Sequence, residues 1–467
     1  MQRSLAVIGA GPAGMAAAIE AVRRGCRVTI IDEAVRPGGQ IFRQAHPALR
    51  GEEFAEPAEL ARKHRLLAEF QGVSSKIDYR GEASVYAVFP NGEIHLAQGD
   101  ATEVLRPDAI ILATGVREQV IPFPGWTTPG VMFAGGAQSI LKAHRVVPGT
   151  NVVIAGCGPL PLIVAAQILR AGGRVAALAS LRSLSAMLHH VRGLWHGREI
   201  VREGLRYAWT VRRAKVPLLT GYMPVRAIGT ERLEAVVLAR VDQEGRLLSG
   251  SERRIDCDLL AINYGFVANS ELAAMAGSEM RRDPVAGGWI PVTDTYGRTS
   301  VPGVFVAGDG AGLRGALVAE CDGTIVGAAA AMPSSAVDGP TLRAELADAM
   351  ARRARHLEFQ KAVRATLQLP IALWRTVTDE TIVCRCENVR FGEIRGALEG
   401  GHHSLNAIKR NVRSGMGWCG GRSCLHSVAA LTELATGAAP TEMMTPRPMV
   451  RPVSFAAIAR QRKVEAR

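Results

Sequence analysis

The stretch that decides the fold is LAVIGAGPAG at residues 5–14, followed by VTIIDE at residues 28–33. The apolar residues before Gly9 predict a buried parallel strand, and the alanine-rich run to about Arg24 predicts a helix. The second stretch predicts another strand, which ends at Asp32. Strand, glycine-rich turn, helix, strand and acid in this order predict a dinucleotide-binding α/β domain.

Each part of this motif has a physical role. Gly9 permits a tight turn, Gly11 lets a pyrophosphate approach the backbone, and Gly14 lets the helix pack close to the strand. The helix N-terminus offers N–H groups to phosphates, and Asp32, 23 positions after Gly9, can accept hydrogen bonds from a ribose. The alternative is a glycine-rich turn without a ligand. The predicted cofactor contacts here are Gly9, Gly11, Pro12, Ala13, Gly14, Asp32 and Glu33.

The composition describes a globular protein with a basic surface. The chain has 467 residues, 48% of them hydrophobic, and a formal net charge of +13. Residues 181–215 and 437–467 hold most of the excess charge, which predicts a solvated or inter-subunit face and no nucleic-acid partner. No apolar run is long enough to span a membrane. We therefore predict a cytoplasmic protein, with peripheral association at the inner face of the membrane as an alternative.

Two later stretches indicate which dinucleotide binds to the first domain. They are AIILATG at residues 109–115 and VFVAGDG at residues 304–310, both apolar strands that end in glycine-rich turns. Over about residues 1–335 the chain resembles the two-dinucleotide-domain flavoproteins, in which such stretches mark where the chain leaves and rejoins the FAD domain. The resemblance implies FAD contacts at Gly39, Gln40, Ala113, Thr114, Gly115, Gly308 and Asp309, next to Gly38.

A second nucleotide-type motif is incomplete. Residues 151–161 read NVVIAGCGPLP, so Pro161 stands where the third glycine belongs, and the following strand leads to no acid. Arg182 is a weak indication of a 2′-phosphate site. We favour a degenerate unit over a working NAD(P)H site. No cysteine pair lies near residues 38–47, so disulfide reduction is not expected.

The cysteines near the C-terminus form the second specific pattern, C-x-C followed by C-x4-C. They are Cys384, Cys386, Cys419 and Cys424. Four thiolates from two short loops can hold a [2Fe–2S] cluster or zinc. C-x-C is unusual for zinc sites, and the segment resembles the bacterioferritin-associated-ferredoxin-like [2Fe–2S] domain. We favour the cluster. The adjacent histidines at 189–190 and 402–403 predict no metal site, because neighbours on a helix face different directions.

Taken together, the chain resembles the α or A subunits of heteromeric amino-acid dehydrogenases. Members are the A subunits of opine oxidases, the α subunits of D-hydroxyproline or proline dehydrogenases, and the B subunits of hydrogen cyanide synthases. Residues 121–132, 39–43 and 384–387 carry the match. The resemblance implies a β subunit with an amino-acid-oxidase-like fold that oxidises the substrate, and in some relatives a small third subunit. It implies a respiratory acceptor, an FMN at a subunit interface, and in some relatives another adenine nucleotide in place of FAD.

The predicted fold class is α/β, a two-dinucleotide-binding-domain flavoprotein with a small helical [2Fe–2S] domain. No catalytic acid, base or nucleophile is predicted in this chain. The alternatives are a self-contained NAD(P)H-dependent flavin reductase and a structural subunit that binds nucleotide and zinc. The predicted domains are residues 1–118 and 256–337 for FAD, 119–255 for the inserted unit, 338–379 for a helical connector, 380–437 for the cluster, and 438–467 for a basic tail.

Overall fold

The computed structural model describes residues 2–49, 53–182, 191–365 and 367–462. The histidines at 189–190 and part of the basic segment 181–215 lie outside these residues. The first domain is built on a five-stranded parallel sheet. Its strands, in spatial order, are Val304–Val306, Ala109–Leu112, Ser4–Ile8, Arg27–Ile31 and Ile77–Arg80. The central strands are buried, because helices cover one face of the sheet and the antiparallel accessory strands described below cover most of the other.

A second five-stranded parallel sheet forms the inserted domain. Its strands, in spatial order, are Leu218–Thr220, Val175–Ser180, Val152–Gly156, Leu259–Asn263 and Val131–Phe133. The predicted boundary at residue 255 is therefore wrong, since Leu259–Asn263 pairs with Val152–Gly156 and not with the first sheet. The strand is apolar like every other parallel strand, so its pattern does not say which sheet it joins.

Two short strands connect the two sheets. Val116–Glu118 leaves the first domain and Phe266–Ala268 returns to it, and the two pair antiparallel. We call this pair the hinge. The antiparallel accessory strands are Ala83–Val88, Ile94–Gln98 and Ala101–Leu105 in the first domain, Tyr222–Ile228, Ala235–Arg240 and Arg253–Asp256 in the second, and the ribbon Met280–Asp283 with Gly288–Pro291.

The helices before residue 340 complete the two α/β domains. They are Pro12–Arg23, Pro57–Gln71, Ala134–His144, Pro159–Arg170, Val191–Trp195, Arg198–Arg213, Glu271–Met275, Ala316–Ala330 and Ser334–Val337, with 3-10 turns at Ser74–Lys76 and Gly308–Ala311. Within the described ranges, no helix is long and apolar enough to cross a membrane.

The C-terminal part begins with a connector of helices Pro340–Glu345 and Ala347–Ala365 and the 3-10 turn Ile371–Thr376. The cluster domain follows, with strands Ile382–Cys384 and Val389–Arg390 and helices Phe391–Glu399, Leu405–Val412 and Leu425–Thr436. Its apolar side chains share one continuous core with the inserted domain, from Trp126 to Val428. The two units are therefore packed as one body.

The last segment is not a free basic tail. It contains helix Phe455–Ala459 and strand Gln461–Arg462, which pairs parallel with Ala101–Leu105 of the first domain. The backbone N–H groups of Met449 and Val450 donate to the Tyr86 carbonyl at 3.0 Å. This segment therefore extends the accessory sheet of the first domain, an arrangement that its charge and lack of periodicity did not reveal.

Candidate cofactor sites

The first sheet gathers the glycine-rich stretches at its carboxyl edge. A Cβ atom on Gly9, whose φ is +105°, would overlap the Ala113 carbonyl, and one on Gly14 would overlap the Gly9 carbonyl. A Cβ on Gly39 would lie 2.8 Å from the Cα of Gly11. These backbones approach so closely that only glycine fits. The structure thus brings the turn at residues 9–14, the loop at 38–40 and the strand end at 113 to one place.

The returning stretch reaches the same edge. A Cβ on Gly308, with φ +68°, would lie 2.8 Å from the Ala13 Cβ, and one on Gly310 would lie 3.1 Å from the Thr114 hydroxyl oxygen. Thr114 in turn donates to the Asn269 carbonyl at 2.6 Å, and Asn269 N–H donates to the Gly115 carbonyl at 3.0 Å. The structure therefore places four of the predicted residues close together, namely Gly9, Ala13, Thr114 and Gly308.

The acids of the motif lie in different surroundings. Asp32 accepts hydrogen bonds from the backbone N–H of Ala10 at 2.5 Å and of Ala34 at 2.7 Å, and burial raises the pKa of its carboxyl despite these bonds. Asp32 therefore ties the second strand to the glycine-rich turn. Glu33 is exposed and forms an ion pair with Arg451 of the C-terminal segment. The structure thus places Asp32 at the turn and Glu33 beside the tail.

Asp309 and Gln40 stand at two further points of this edge. Asp309 accepts from the backbone N–H of Arg314 at 2.8 Å and of Gly315 at 2.7 Å, and burial raises the pKa of its carboxyl. Gln40 accepts from Arg43 at 2.9 Å and lies 3.4 Å from the Ser139 hydroxyl, so it points toward the inserted domain. Asp309 fixes the turn that opens helix Ala316–Ala330.

This edge fits a dinucleotide such as FAD. Helix Pro12–Arg23 begins after Gly11 with no side-chain hydrogen bond capping its end, and Pro12 occupies the first turn, where an N–H is dispensable. The remaining N–H groups of that turn can bind phosphate oxygens. A Cβ on Gly11 would meet nothing closer than the Gly39 Cα at 3.9 Å, so this side of the turn leaves room for a phosphate. The cofactor would be held by Gly9 to Gly14, Gly39, Ala113 to Gly115 and Gly308.

The second glycine-rich turn is covered by the chain itself. A Cβ on Gly158, with φ +83°, would lie 3.0 Å from a methyl carbon of Leu367 in the connector. Arg182 donates to the Gln368 carbonyl at 3.3 Å, and residues 367–370 line the cavity at Cys157 and Leu181. Burial raises the pKa of the Cys157 thiol to about 12, so this lone cysteine is a poor nucleophile. The place where a pyridine nucleotide's phosphates would lie is taken by the connector.

The four C-terminal cysteines converge in two pairs. The thiols of Cys384 and Cys424 lie close enough to interact, and so do those of Cys386 and Cys419. The neighbouring Cys424 thiol, together with backbone N–H groups of Gly415 and Glu387, lowers the pKa of the Cys384 thiol. Cys384, Cys419 and Cys424 are buried, and Cys386 is partly exposed. A donated hydrogen bond from the Ser414 hydroxyl reaches the Cys424 sulfur at 3.6 Å.

This donor set fits a two-iron cluster. Two thiol pairs are what two irons require, and N–H groups directed at sulfur are typical of iron–sulfur sites. Gly417 has no room for a Cβ beside Cys386, so the loop closes tightly over the thiols. Cys384, Cys386, Cys419 and Cys424 would hold the cluster.

The cluster loop is attached to the hinge. Arg117 donates through Nε to the Arg422 carbonyl at 2.8 Å and through Nη1 to the Asn269 side-chain oxygen at 2.8 Å. The Ser427 hydroxyl donates to the Val120 carbonyl at 2.9 Å. Arg117 therefore joins the loop between Cys419 and Cys424 to Asn269, which contacts Thr114 and Gly115 at the first site.

Aromatic residues complete this attachment. The Trp126 indole donates to the Ile382 carbonyl at 2.6 Å, and Arg385 lies over the Trp126 ring at 5.3 Å. His426 packs beside Trp289, with ring centres 5.7 Å apart, and burial lowers its pKa to about 3. Sequence reasoning missed these roles. For Trp126 a signal was present, because it lies in residues 121–132, one of the stretches that carry the resemblance.

The fold and these sites define a two-dinucleotide-domain flavoprotein with an iron–sulfur domain, and comparison with known proteins agrees. Residues 3–331 match the family described as pyridine nucleotide-disulphide oxidoreductase, and residues 382–433 match the BFD-like [2Fe-2S] binding domain. The chain therefore belongs to the pyridine nucleotide-disulphide oxidoreductase family and carries a BFD-like C-terminal domain. The predicted fold class, FAD and [2Fe–2S] cluster are confirmed by these matches.

Relatives extend along nearly the whole chain. The A subunit of opine oxidase from Agrobacterium tumefaciens is 33% identical over 97% of this chain and 91% of its own length. The HcnB subunit of hydrogen cyanide synthase from Pseudomonas aeruginosa is 31% identical over 97% of both. The structure of L-proline dehydrogenase from P. horikoshii aligns with TM-score 0.67 and 20% identity, over 98% of this chain and 80% of that one, which shows a shared fold. The predicted resemblance is confirmed, and the chain is a flavin-dependent oxidoreductase subunit.

Proposed function

We propose that this chain is the electron-transfer subunit of a heteromeric dehydrogenase that oxidises the CH–NH bond of an amino acid or opine. A partner β subunit with an amino-acid-oxidase-like fold would bind and oxidise the substrate. Its electrons would leave through this chain for a respiratory acceptor. When bound, FAD would exchange one or two electrons, and the [2Fe–2S] cluster would carry one. The relatives named above are themselves subunits of oxidases or synthases.

The observation that carries this proposal is the attachment of the cluster loop to the hinge. Arg117 contacts the Arg422 carbonyl on one side and Asn269 on the other, and Asn269 contacts Thr114 at the edge of the first site. The chain's own residues thus form a hydrogen-bonded connection between the two predicted cofactor sites. Such a connection would hold two electron-carrying centres at a fixed separation.

The covered second turn argues against the NAD(P)H-dependent alternative. Leu367 lies against Gly158, and Gln368 takes the hydrogen bond of Arg182, the residue that was the weak indication of a 2′-phosphate site. Pro161 further removes one N–H from the start of helix Pro159–Arg170. Electrons would then enter from a partner protein and not from NAD(P)H.

The remaining components belong to the same proposal. An FMN at the subunit interface and a small third subunit would complete the complex. In one variant of this proposal, another adenine nucleotide takes the place of FAD. It would bind the same turn at residues 9–14. The proposed location is cytoplasmic, and peripheral attachment to the inner face of the membrane is the alternative.

The test uses the chain alone and with its partner. The purified chain, loaded with iron, sulfide and flavin under anaerobic conditions, is mixed with NADH, NADPH, amino acids or opines. We expect no flavin bleaching and no EPR signal of a reduced cluster. Adding the co-expressed amino-acid-oxidase-like subunit with its substrate should produce both. Rapid bleaching of the chain alone by NADH would instead support the self-contained reductase, and a colourless protein with stoichiometric zinc would support the structural subunit.

A further inference from the structure

Helix Arg198–Arg213 lies at the outer side of the inserted domain and is held firmly by its inner face. Tyr207 and Val211 are buried, and the Tyr207 hydroxyl accepts a hydrogen bond from the Glu56 N–H at 3.0 Å. Glu203 forms a two-pronged ion pair with Arg62 at 2.7 and 2.9 Å. The opposite face of the helix is therefore presented to its surroundings in a fixed orientation.

The outer face combines two apolar side chains with arginines. Leu205 is 64% exposed and Trp209 is 60% exposed, and Trp195, just before the helix, is 71% exposed. Positions 198, 202, 205, 209 and 212 follow the spacing of one helical stripe. The arginines on or beside this stripe are Arg198, Arg202, Arg206, Arg212 and Arg213. Leu205 and Trp209 thus lie in the middle of a strongly basic strip, which we call the Arg–Trp face.

Little opposes the charge of this face. Of the two acids in the helix, Glu203 is buried against Arg62 and Glu199 is exposed. In the described residues, Arg198, Arg202 and Arg212 have no carboxylate within ion-pair distance. Arg213 lies over the Trp209 ring at 5.2 Å, a contact that leaves its charge uncompensated. The face therefore presents cations with indole and leucine side chains between them.

We propose that the Arg–Trp face docks this chain onto an anionic lipid bilayer surface. The helix would lie parallel to the membrane, with Leu205 and Trp209 inserted at headgroup depth. Tryptophan prefers that depth, and arginines beside it bind lipid phosphates while their guanidinium groups stay hydrated. This docking would define the surface by which the chain attaches to the membrane in the proposed function. Vesicle binding is measured without turnover, so the docking hypothesis can be refuted while the electron-transfer role is retained.

The pattern favours a bilayer over a protein partner. Leu205 and Trp209 are adjacent on the stripe and arginines flank them at both ends. An apolar centre of two side chains is small for a stable protein interface, which buries about 800 Å² on each partner. Arg206 already pairs with Glu56 at 3.4 Å. Burying the other four guanidinium groups against a protein would demand a paired acid for each, because unpaired buried charge is costly. A layer of lipid phosphates supplies those partners without dehydration.

Co-sedimentation of the full-length chain with vesicles tests this proposal. The vesicles contain phosphatidylcholine alone or one quarter phosphatidylglycerol. The variant Arg202→Glu/Arg213→Glu removes charge from the face, and Arg23→Glu/Arg27→Glu makes the same change in net charge at exposed positions of the first domain. We expect binding to the anionic vesicles only, a loss on the order of tenfold or more for the first variant, and no loss for the second. Leu205→Ser/Trp209→Ser should bind several-fold more weakly.

Three results would overturn the proposal. The first is an unaltered chain that stays in solution with phosphatidylglycerol vesicles at physiological salt. The second is an equal effect of the two arginine variants, which would mean that net charge alone acts. The third is a face variant that keeps vesicle binding but loses its co-expressed partner subunit in a pull-down, which would assign the face to a protein interface. Thermal melting and the visible spectrum of each variant verify that fold and cofactors are intact.

Discussion

The Nε–H of Arg117 donates a hydrogen bond to the carbonyl oxygen of Arg422 across 2.8 Å. The other end of the same guanidinium forms an ion pair with Glu271 at 2.7 Å. Arg422 lies between Cys419 and Cys424, and Arg117 belongs to the hinge strand Val116–Glu118. One side chain therefore fixes the loop that carries two predicted cluster ligands and brings a positive charge to its backbone.

Replacing Arg117 should change the reduction potential of the cluster. A nearby positive charge stabilises the reduced, more negative form of a cluster, and Arg117→Met removes that charge while leaving Glu271 in place. We expect a more negative midpoint potential in an EPR-monitored redox titration. Arg117→Lys is the matched control, because it keeps the charge and loses the fork geometry. An unchanged potential in Arg117→Met would mean that Arg117 acts on packing alone.

Removing one predicted ligand should affect only one of the two sites. Cys419→Ser is expected to abolish the EPR signal of the dithionite-reduced protein and to lower its iron and acid-labile sulfide, while bound nucleotide, released by heat and quantified, stays stoichiometric. The reason is that Cys419 contacts Cys386 and not the edge at residues 9–14. Cys321→Ser is the control, since Cys321 is buried in helix Ala316–Ala330. Loss of cluster and nucleotide together would contradict separate sites.

Pyridine nucleotides should not bind to the inserted domain. Leu367 fills the space over Gly158, and the cavity nearby is bounded by Gln368 and Pro370. We expect isothermal titration with NADH or NADPH at millimolar concentration to give no heat of binding beyond dilution. A thioredoxin reductase titrated in parallel serves as positive control. Saturable binding, or a rise in melting temperature of several degrees, would show that the connector moves aside.

The sequence predicts how the glycine-rich stretches of the first domain converge, because the rules for such a turn are local. Gly9 and Gly14 stand five positions apart, and their spacing is dictated by one turn and the start of one helix. The structure accordingly brings Gly9, Ala113 and Gly308 to one edge. The C-x-C and C-x4-C spacings are likewise local, and the thiols of Cys384 and Cys424 meet.

What the sequence did not reveal depends on contacts between distant segments. Leu259–Asn263 is an apolar strand of ordinary pattern, and only its pairing with Val152–Gly156 assigns it to the inserted domain. Arg117 and Arg422 are 305 positions apart, and no periodicity connects an arginine to a backbone carbonyl. The placement of Leu367 on Gly158 is also a packing result. Such contacts depend on how the domains pack against one another. The spacing of residues within one segment does not encode that packing.

The hinge carries a carboxyl group whose protonation should affect stability. Glu118 accepts from the Asn263 side chain at 2.7 Å and from the Gly135 N–H at 2.9 Å, at the start of helix Ala134–His144. Burial raises the pKa of Glu118 from its ordinary value of 4.5 to about 7, although those hydrogen bonds oppose the rise. The folded protein therefore holds a proton here that the unfolded chain releases at lower pH.

The sign of the effect follows from that difference. The folded state binds the proton more tightly, so the contribution of protonated Glu118 is complete below about pH 4.5 and is lost as the pH rises through about 7. Its size is at most roughly 3 kcal/mol, at 1.36 kcal/mol for each pKa unit. The unaltered protein should thus lose stability between pH 5 and pH 8. The Glu118→Gln variant should not show this loss, because its side chain does not titrate.

Thermal melting of both proteins between pH 5 and pH 8 measures this difference. We expect the melting temperature of the unaltered protein to fall relative to Glu118→Gln by a few degrees, on the order of 5 °C, as the pH rises. Glu231→Gln, at an exposed position, is the control and should run parallel to the unaltered protein at every pH. If Glu118→Gln also runs parallel, Glu118 is ionised in the folded protein throughout this range. In that case the donors around it, Asn263 and the helix start at Gly135, outweigh its burial.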